Sequence, residues 1–229
     1  MIVQSIEHGT ARAIIYRFLS RCFSHPDRKL LELFDSARLE EFLQSWRYLG
    51  LKGLEDVARV ANWLEKWPSR EAVLVELDKE YTRLFITAYP KVVAPPYSSV
   101  YLDKESLIWG KSTAEAARLY EAAGLGIRDD FHDIPDHIAA ELEFASYLIS
   151  MQLIGEPDRT PANELLPHIE KRFLVEHLFR WAPAFFRHVS ESSAGTFYGA
   201  MAQLAGQFIT WDAQQLEHNR SSDAESSVV

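Results

Sequence analysis

Apolar residues recur at helical spacing through most of the chain. From Ile6 to Phe23 they fall in steps of four, at Ile14 and Ile15, Phe18 and Leu19, Cys22 and Phe23, which predicts an amphipathic helix. Ser24-His25-Pro26-Asp27 breaks it, and Pro26 suits the first turn of a second helix carrying Leu30, Leu31, Leu33 and Phe34. Leu39, Phe42, Leu43 and Trp46 mark a third helix. Gly50 and Gly53 punctuate, and Leu54, Val57, Ala58, Ala61 and Leu64 mark a fourth that ends at Trp67-Pro68. A fifth is predicted from about Glu71 to Thr87, with Leu74, Leu77, Tyr81, Leu84 and Ala88 on one stripe and Phe85 on its flank. Further helices are predicted from Ala114 to Ala123, from Ile134 to Leu153 with Pro135 in the first turn, and from Gly195 to Leu216. In the helix from Ile134, the stripe Ile138, Leu142, Ala145 and Ile149 faces inward. His137 and Glu141 flank that stripe, and Asp136, Ala140 and Glu143 point away from it. Residues 217–229 are polar and Ser-rich, which predicts a disordered tail. Alternating runs, hairpin turns, βαβ spacing and repeats are absent from the sequence. The reading is all-α: a helical domain over residues 1–216, with a hinge between two packed halves expected near 87–111.

One stretch departs from the helical pattern. Ala94-Pro-Pro-Tyr-Ser-Ser-Val-Tyr-Leu-Asp103 holds two prolines that lack an N–H, so no helix runs through them. Yet the segment and its approach are apolar and aromatic, with Tyr89, Val92, Val93, Tyr97, Val100, Tyr101 and Leu102. A stiff apolar loop either packs onto the fold or receives something that does.

Charge and composition narrow the classes. The 229 residues are 47% hydrophobic and 25% charged, as in a soluble globular chain. The net charge of −9 argues against nucleic-acid binding, which needs a basic face, and suits a basic peptide partner. The one cysteine, Cys22, lies on the first apolar stripe and reads as a small buried hydrophobe in a reducing compartment. No secretory signal and no run of about 18 apolar residues is present, so the expected location is the cytosol.

The sequence contains no phosphate loop, G-x-G-x-x-G, H-E-x-x-H or G-x-S-x-G. Asp133, Asp136, His137 and Glu141 read as helix-start acids meeting the positive end of the helix dipole. The competing reading is a metal-dependent hydrolase site made of His132, Asp133, His137 and Glu141. A nucleotide or molybdenum-cofactor assembly factor is a second alternative, without a phosphate loop to support it.

The motifs in this part of the chain resemble those of the TorD/DmsD/NarJ family of molybdoenzyme maturation chaperones, most like its DmsD branch. The likeness is carried by Tyr81-x-x-Leu84-Phe85, by Ala94 to Ser106, by Trp109-Gly110-x-Ser112-Thr113, and by Pro135-Asp136-His137 with Glu141-Leu142-Glu143-Phe144. His177-Leu178-x-x-Trp181 and Phe197-Tyr198 are fainter echoes. The resemblance implies an all-helical fold and a non-enzyme without a cofactor. It also implies binding of the twin-arginine signal peptide and apoprotein of a DMSO-reductase-type partner. Carried over by position, the implied peptide site is Tyr81, Leu84, Phe85, Pro95, Pro96, Tyr97, Ser99, Tyr101, Gly110, Asp136 and His137. Glu141 joins them, with Asp129, Asp130, Asp133 and Asp136, as an expected acceptor of the two arginines. Tyrosines stand at 81, 97 and 101 where that branch usually has tryptophan, which implies a more polar pocket. A homodimer stays open.

Overall fold

The computed structural model describes residues 2–35, 37–104, 108–126, 134–154 and 161–226. Its helices run in the order α1 (Ile2–Phe23), α2 (Arg28–Phe34), α3 (Ala37–Tyr48), α4 (Glu55–Leu64), α5 (Arg70–Tyr81), α6 (Ser98–Leu102), α7 (Lys111–Ala122), α8 (Ile138–Leu153), α9 (Pro161–Lys171), α10 (Phe179–Ser192) and α11 (Phe197–Ser226). A π-helical turn, Thr82–Ile86, continues α5, and a second, Arg172–Leu178, joins α9 to α10. Among the described residues the only extended pairing is a single antiparallel bridge between Tyr97 and His137.

Local chemistry accounts for the helix starts. The Asp27 carboxylate accepts from the Leu30 amide and the Ser69 hydroxyl from the Ala72 amide, each closing an N-terminal turn. Helix α8 begins at Ile138, four residues later than the Ile134 predicted. The residues before it are drawn into the bridge with the proline loop, and His137 is extended and acts as the cap. Helix α11 continues to Ser226, because no glycine or proline after Leu216 stops it.

Helices α1 and α8 pack along each other at the centre, α1 also against α3 and α8 against α9; α11 packs on α10 and α4. Gly9 permits the close approach of α1 to α8, since a Cβ there would sit 2.8 Å from Leu153 Cδ2. Cys22 is fully buried in this core, as its stripe position predicts. An aromatic cluster then ties four elements together. Phe23 of α1 meets Phe186 of α10 at 5.1 Å between ring centroids, and Phe85 of the first π turn meets Tyr198 of α11 at 5.4 Å.

A buried ion cluster sits at the middle of α1. Arg12 donates through Nε to Asp212 (2.6 Å) and through Nη2 to Glu170 (2.9 Å) and Asp212 (3.0 Å). The Tyr16 hydroxyl donates to Asp212 at 2.7 Å, and Gln152 donates to Glu170 at 2.6 Å. Burial alone would lower the Arg12 pKa, but the two carboxylates overcome it and raise it. A cleft of about 480 Å³ opens over this cluster, walled by Ile6, Ile149, Leu153 and Leu216.

Candidate functional site

The π turn decides how the first motif sits. Helix α5 presents Leu77 and Tyr81 to the core on ordinary helical spacing. A wider turn over Thr82–Ile86 follows, and Leu84 and Phe85, three and four residues after Tyr81, are both buried, Phe85 having been placed on the flank of the stripe. The turn closes with the Thr87 amide donating to the Thr82 carbonyl (2.8 Å), and the Leu84 carbonyl accepts from the Ala94 amide (2.9 Å). The proline loop is thus anchored at its start.

At its middle the loop is clasped to the start of α8. The Ser98 amide donates to the Asp136 carbonyl (3.0 Å) and the Ile138 amide to the Pro96 carbonyl (2.8 Å). This places Tyr97 opposite His137 with ring centroids 5.3 Å apart. Asp136 adds its side chain: Oδ2 accepts from the Ser99 amide (2.9 Å) and, at the outer limit, from the Ser98 hydroxyl (3.4 Å). His137 Nδ1 accepts from the Ala139 amide (3.1 Å), which puts the ring proton of a neutral imidazole on Nε2, 3.4 Å from the Tyr81 hydroxyl. Pro135 is held by the Tyr120 hydroxyl, which donates to its carbonyl at 2.7 Å.

The far end of the loop is fixed by Asp103. Its carboxylate accepts from the Ser112 amide (3.2 Å) and hydroxyl (2.7 Å), capping α7 from outside the helix. Gly110 is required here, because a Cβ would lie 1.8 Å from Asp103 Oδ2.

Beneath the loop, Tyr101 lies over Trp181 at 5.4 Å and His188 at 6.0 Å. Trp181 Nε1 donates to Glu141 Oε2 (2.8 Å), and Glu141 Oε1 pairs with His177 Nε2 at 2.7 Å. Burial raises the Glu141 pKa, and the bonds from His177 and Trp181 recover only part of that shift. For His177, burial lowers the pKa, the Glu141 carboxylate overrides it, and the net direction is upward from 6.5. Both folded groups bind protons more readily than their unfolded counterparts. The pair therefore stabilises the fold most in mild acid and loses that stabilisation as pH rises through the folded His177 pKa above 6.5. Thermal melts across about pH 6 to 9 are expected to show a falling midpoint. His177→Gln, which keeps a donor for Glu141 without the titration, is expected to flatten the fall above pH 6.5.

These contacts correct one expectation. Asp136, His137 and Glu141 are 0%, 3% and 0% exposed, so they do not form an open acidic rim. Asp136 was predicted to point away from the core, and the loop covers it instead. Two of the four residues of the metal reading are described. His137 and Glu141 are committed to Ala139, His177 and Trp181, and no group of three metal-ligating residues occurs among the described residues. His132, Asp133, Asp129 and Asp130 lie outside the described residues. Exposed apolar residues flank the loop, Ile86 (50% exposed) and Tyr89 (100%) before it and Ile108 (46%) and Trp109 (70%) after it, interspersed with exposed Thr87, Lys91 and Lys104. Tyr89 is read from the sequence as part of the aromatic loop and Trp109 as part of a motif, whereas Ile86 and Ile108 are not singled out there. Periodicity marks buried stripes, not what a loop leaves outside.

Among the described residues several buried atoms have no hydrogen-bond partner: Ser99 Oγ, Tyr101 Oη, Thr113 Oγ1, Asp136 Oδ1 and His177 Nδ1. A buried polar group left without a partner costs about 1–3 kcal/mol.

The fold and site define a helical binding protein, with its motif residues gathered under one clasped loop and an apolar rim turned outward. Residues 50–187 match the family model described as nitrate reductase delta subunit, and the chain belongs to that family. It is 29% identical over 206 residues to the chaperone protein TorD of Aliivibrio salmonicida, covering 90% of this chain and 94% of the relative. The TorD chaperone of Photobacterium profundum is 31% identical over 161 residues, 69% of this chain and 72% of the relative. A crystal structure from Archaeoglobus fulgidus, assigned as a redox enzyme maturation protein, superposes with a TM-score of 0.50 at 28% identity, covering 86% of this chain and 93% of that one. The chain is accordingly a redox-enzyme maturation chaperone and not an enzyme. Among the described residues no helix is long and apolar enough to cross a membrane.

Proposed function

We propose that this chaperone binds the twin-arginine leader of a molybdenum-containing oxidoreductase of the DMSO-reductase type in the cytosol, and withholds it from export until the cofactor is in place. The observation that carries the reading is the meeting of all the family-like motifs at one loop. Tyr81, Leu84, Phe85, Pro95, Pro96, Tyr97, Ser99, Tyr101, Gly110, Asp136, His137 and Glu141 belong to a single connected module whose edge is apolar and exposed. In this reading Ile86, Tyr89, Ile108 and Trp109 receive the apolar run of the leader. Covering ~300 Å² of such surface offers on the order of 7 kcal/mol before ordering costs. The buried members hold the loop and tune its shape. The net charge of −9 favours a basic peptide at longer range.

Trp109→Ala tests the assignment with little risk to the fold, because the side chain is 70% exposed. The variant is expected to bind a synthetic twin-arginine leader about tenfold more weakly by calorimetry, with an unchanged thermal midpoint. An unchanged dissociation constant would remove the rim from the site.

A further inference from the structure

The loop over residues 94–103 is held down in an unusual way. Two main-chain bonds, Ser98 to Asp136 and Ile138 to Pro96, and one carboxylate oxygen, Asp136 Oδ2, make its attachment to α8. The other Asp136 oxygen is buried without a donor. So are the oxygens of Ser99 and Tyr101 on α6 and of Thr113 on α7, the helix α6 packs against. A closed packing optimised for its own sake would have supplied donors to a buried carboxylate. The bed under the loop is aromatic, with Tyr101 on Trp181 and Phe185. Both approaches to the loop carry exposed apolar side chains, Tyr89 on one side and Trp109, at φ +68, on the other.

Building on the leader-binding reading, we infer that the 94–103 segment is a displaceable clasp, and that a guanidinium of the leader takes the Asp136 carboxylate as the clasp parts from it. A guanidinium brings five N–H donors and no acceptor, and Asp136 offers it one oxygen that has no donor and a second that loses the Ser99 amide when the clasp parts. An ammonium offers three donors from a point and matches this set less well. The leader first meets the exposed rim, the Tyr97–His137 pairing parts, and the apolar run settles on the surface the clasp vacates. The buried placement of Asp136 and the expected contact with arginine are then two states of one device.

Hydrogen–deuterium exchange on the intact protein tests this, with and without a saturating synthetic leader of two adjacent arginines followed by an apolar run. Occupancy is established first by calorimetry. The amides of Ser98, Ser99 and Ile138 are expected to exchange faster by about tenfold or more in the complex, because their acceptors have moved away. Amides of α8 beyond its first turn keep their protection. Unchanged or slower exchange at Ser98 and Ile138 in an occupied complex overturns the clasp and leaves leader binding intact. Absence of any binding overturns the leader reading itself, and the clasp with it.

Discussion

Replacing Glu141 by alanine is expected to lower the unfolding free energy by about 3–5 kcal/mol, the range for removing one partner of a buried ion pair. Glu141 is fully buried and serves two donors on the segment after α9, His177 Nε2 at 2.7 Å and Trp181 Nε1 at 2.8 Å. Without it His177, whose Nδ1 already lacks a partner, has no hydrogen bond to either ring nitrogen. Its charged form then loses the carboxylate that sustains it, and the indole N–H is stranded in an apolar bed. Glu141→Gln keeps acceptor and shape, so it is expected to cost clearly less. Urea unfolding followed by circular dichroism reads both. A loss below about 1 kcal/mol for the alanine variant would mean that the pair contributes little to holding α8 against α10.

A comparable loss, again about 3–5 kcal/mol, is expected for Asp212→Ala. The carboxylate is fully buried and accepts two bonds from Arg12 and one from Tyr16, joining α1 to the last long helix. Removing it leaves a buried guanidinium facing only Glu170. The double variant Arg12→Met, Asp212→Ala removes both charges. It is expected to recover part of the loss, so the two single effects do not add. Additive losses in urea unfolding would show that the two groups act independently.

How much of this was legible in the sequence depended on the range of the interaction. The stripes of α1, α5 and α8 follow from spacing along one helix, and Leu30, Leu77, Leu142 and Phe208 are fully buried as read. The start of α8 was misplaced because residues 136–138 pair with a loop some 40 positions earlier, and tertiary pairing overrides the local helix signal of Pro135. Phe85 lies four residues after buried Tyr81, so its burial is compatible with helical spacing, and what spacing does not anticipate is the π turn itself over Thr82–Ile86. The Arg12–Asp212 pair joins residues 200 positions apart. The one signal for it was a charge inside each of two apolar runs, Ala11-Arg12-Ala13 and Trp211-Asp212-Ala213. The motif residues of the site were all named from sequence, but their roles were not. Burial converts Asp136, His137 and Glu141 from a presented rim into internal staples, and exposes Tyr89 and Trp109 in their place.

The measurement closest to the central claim is a calorimetric titration of the intact protein with a synthetic leader, once with its two arginines and once with both changed to lysine. The account predicts saturable one-to-one binding of the arginine leader and an affinity lower by about tenfold or more for the lysine form, since lysine keeps the charge but not the fork of donors. Equal affinities for the two leaders, or no binding of either, would contradict it.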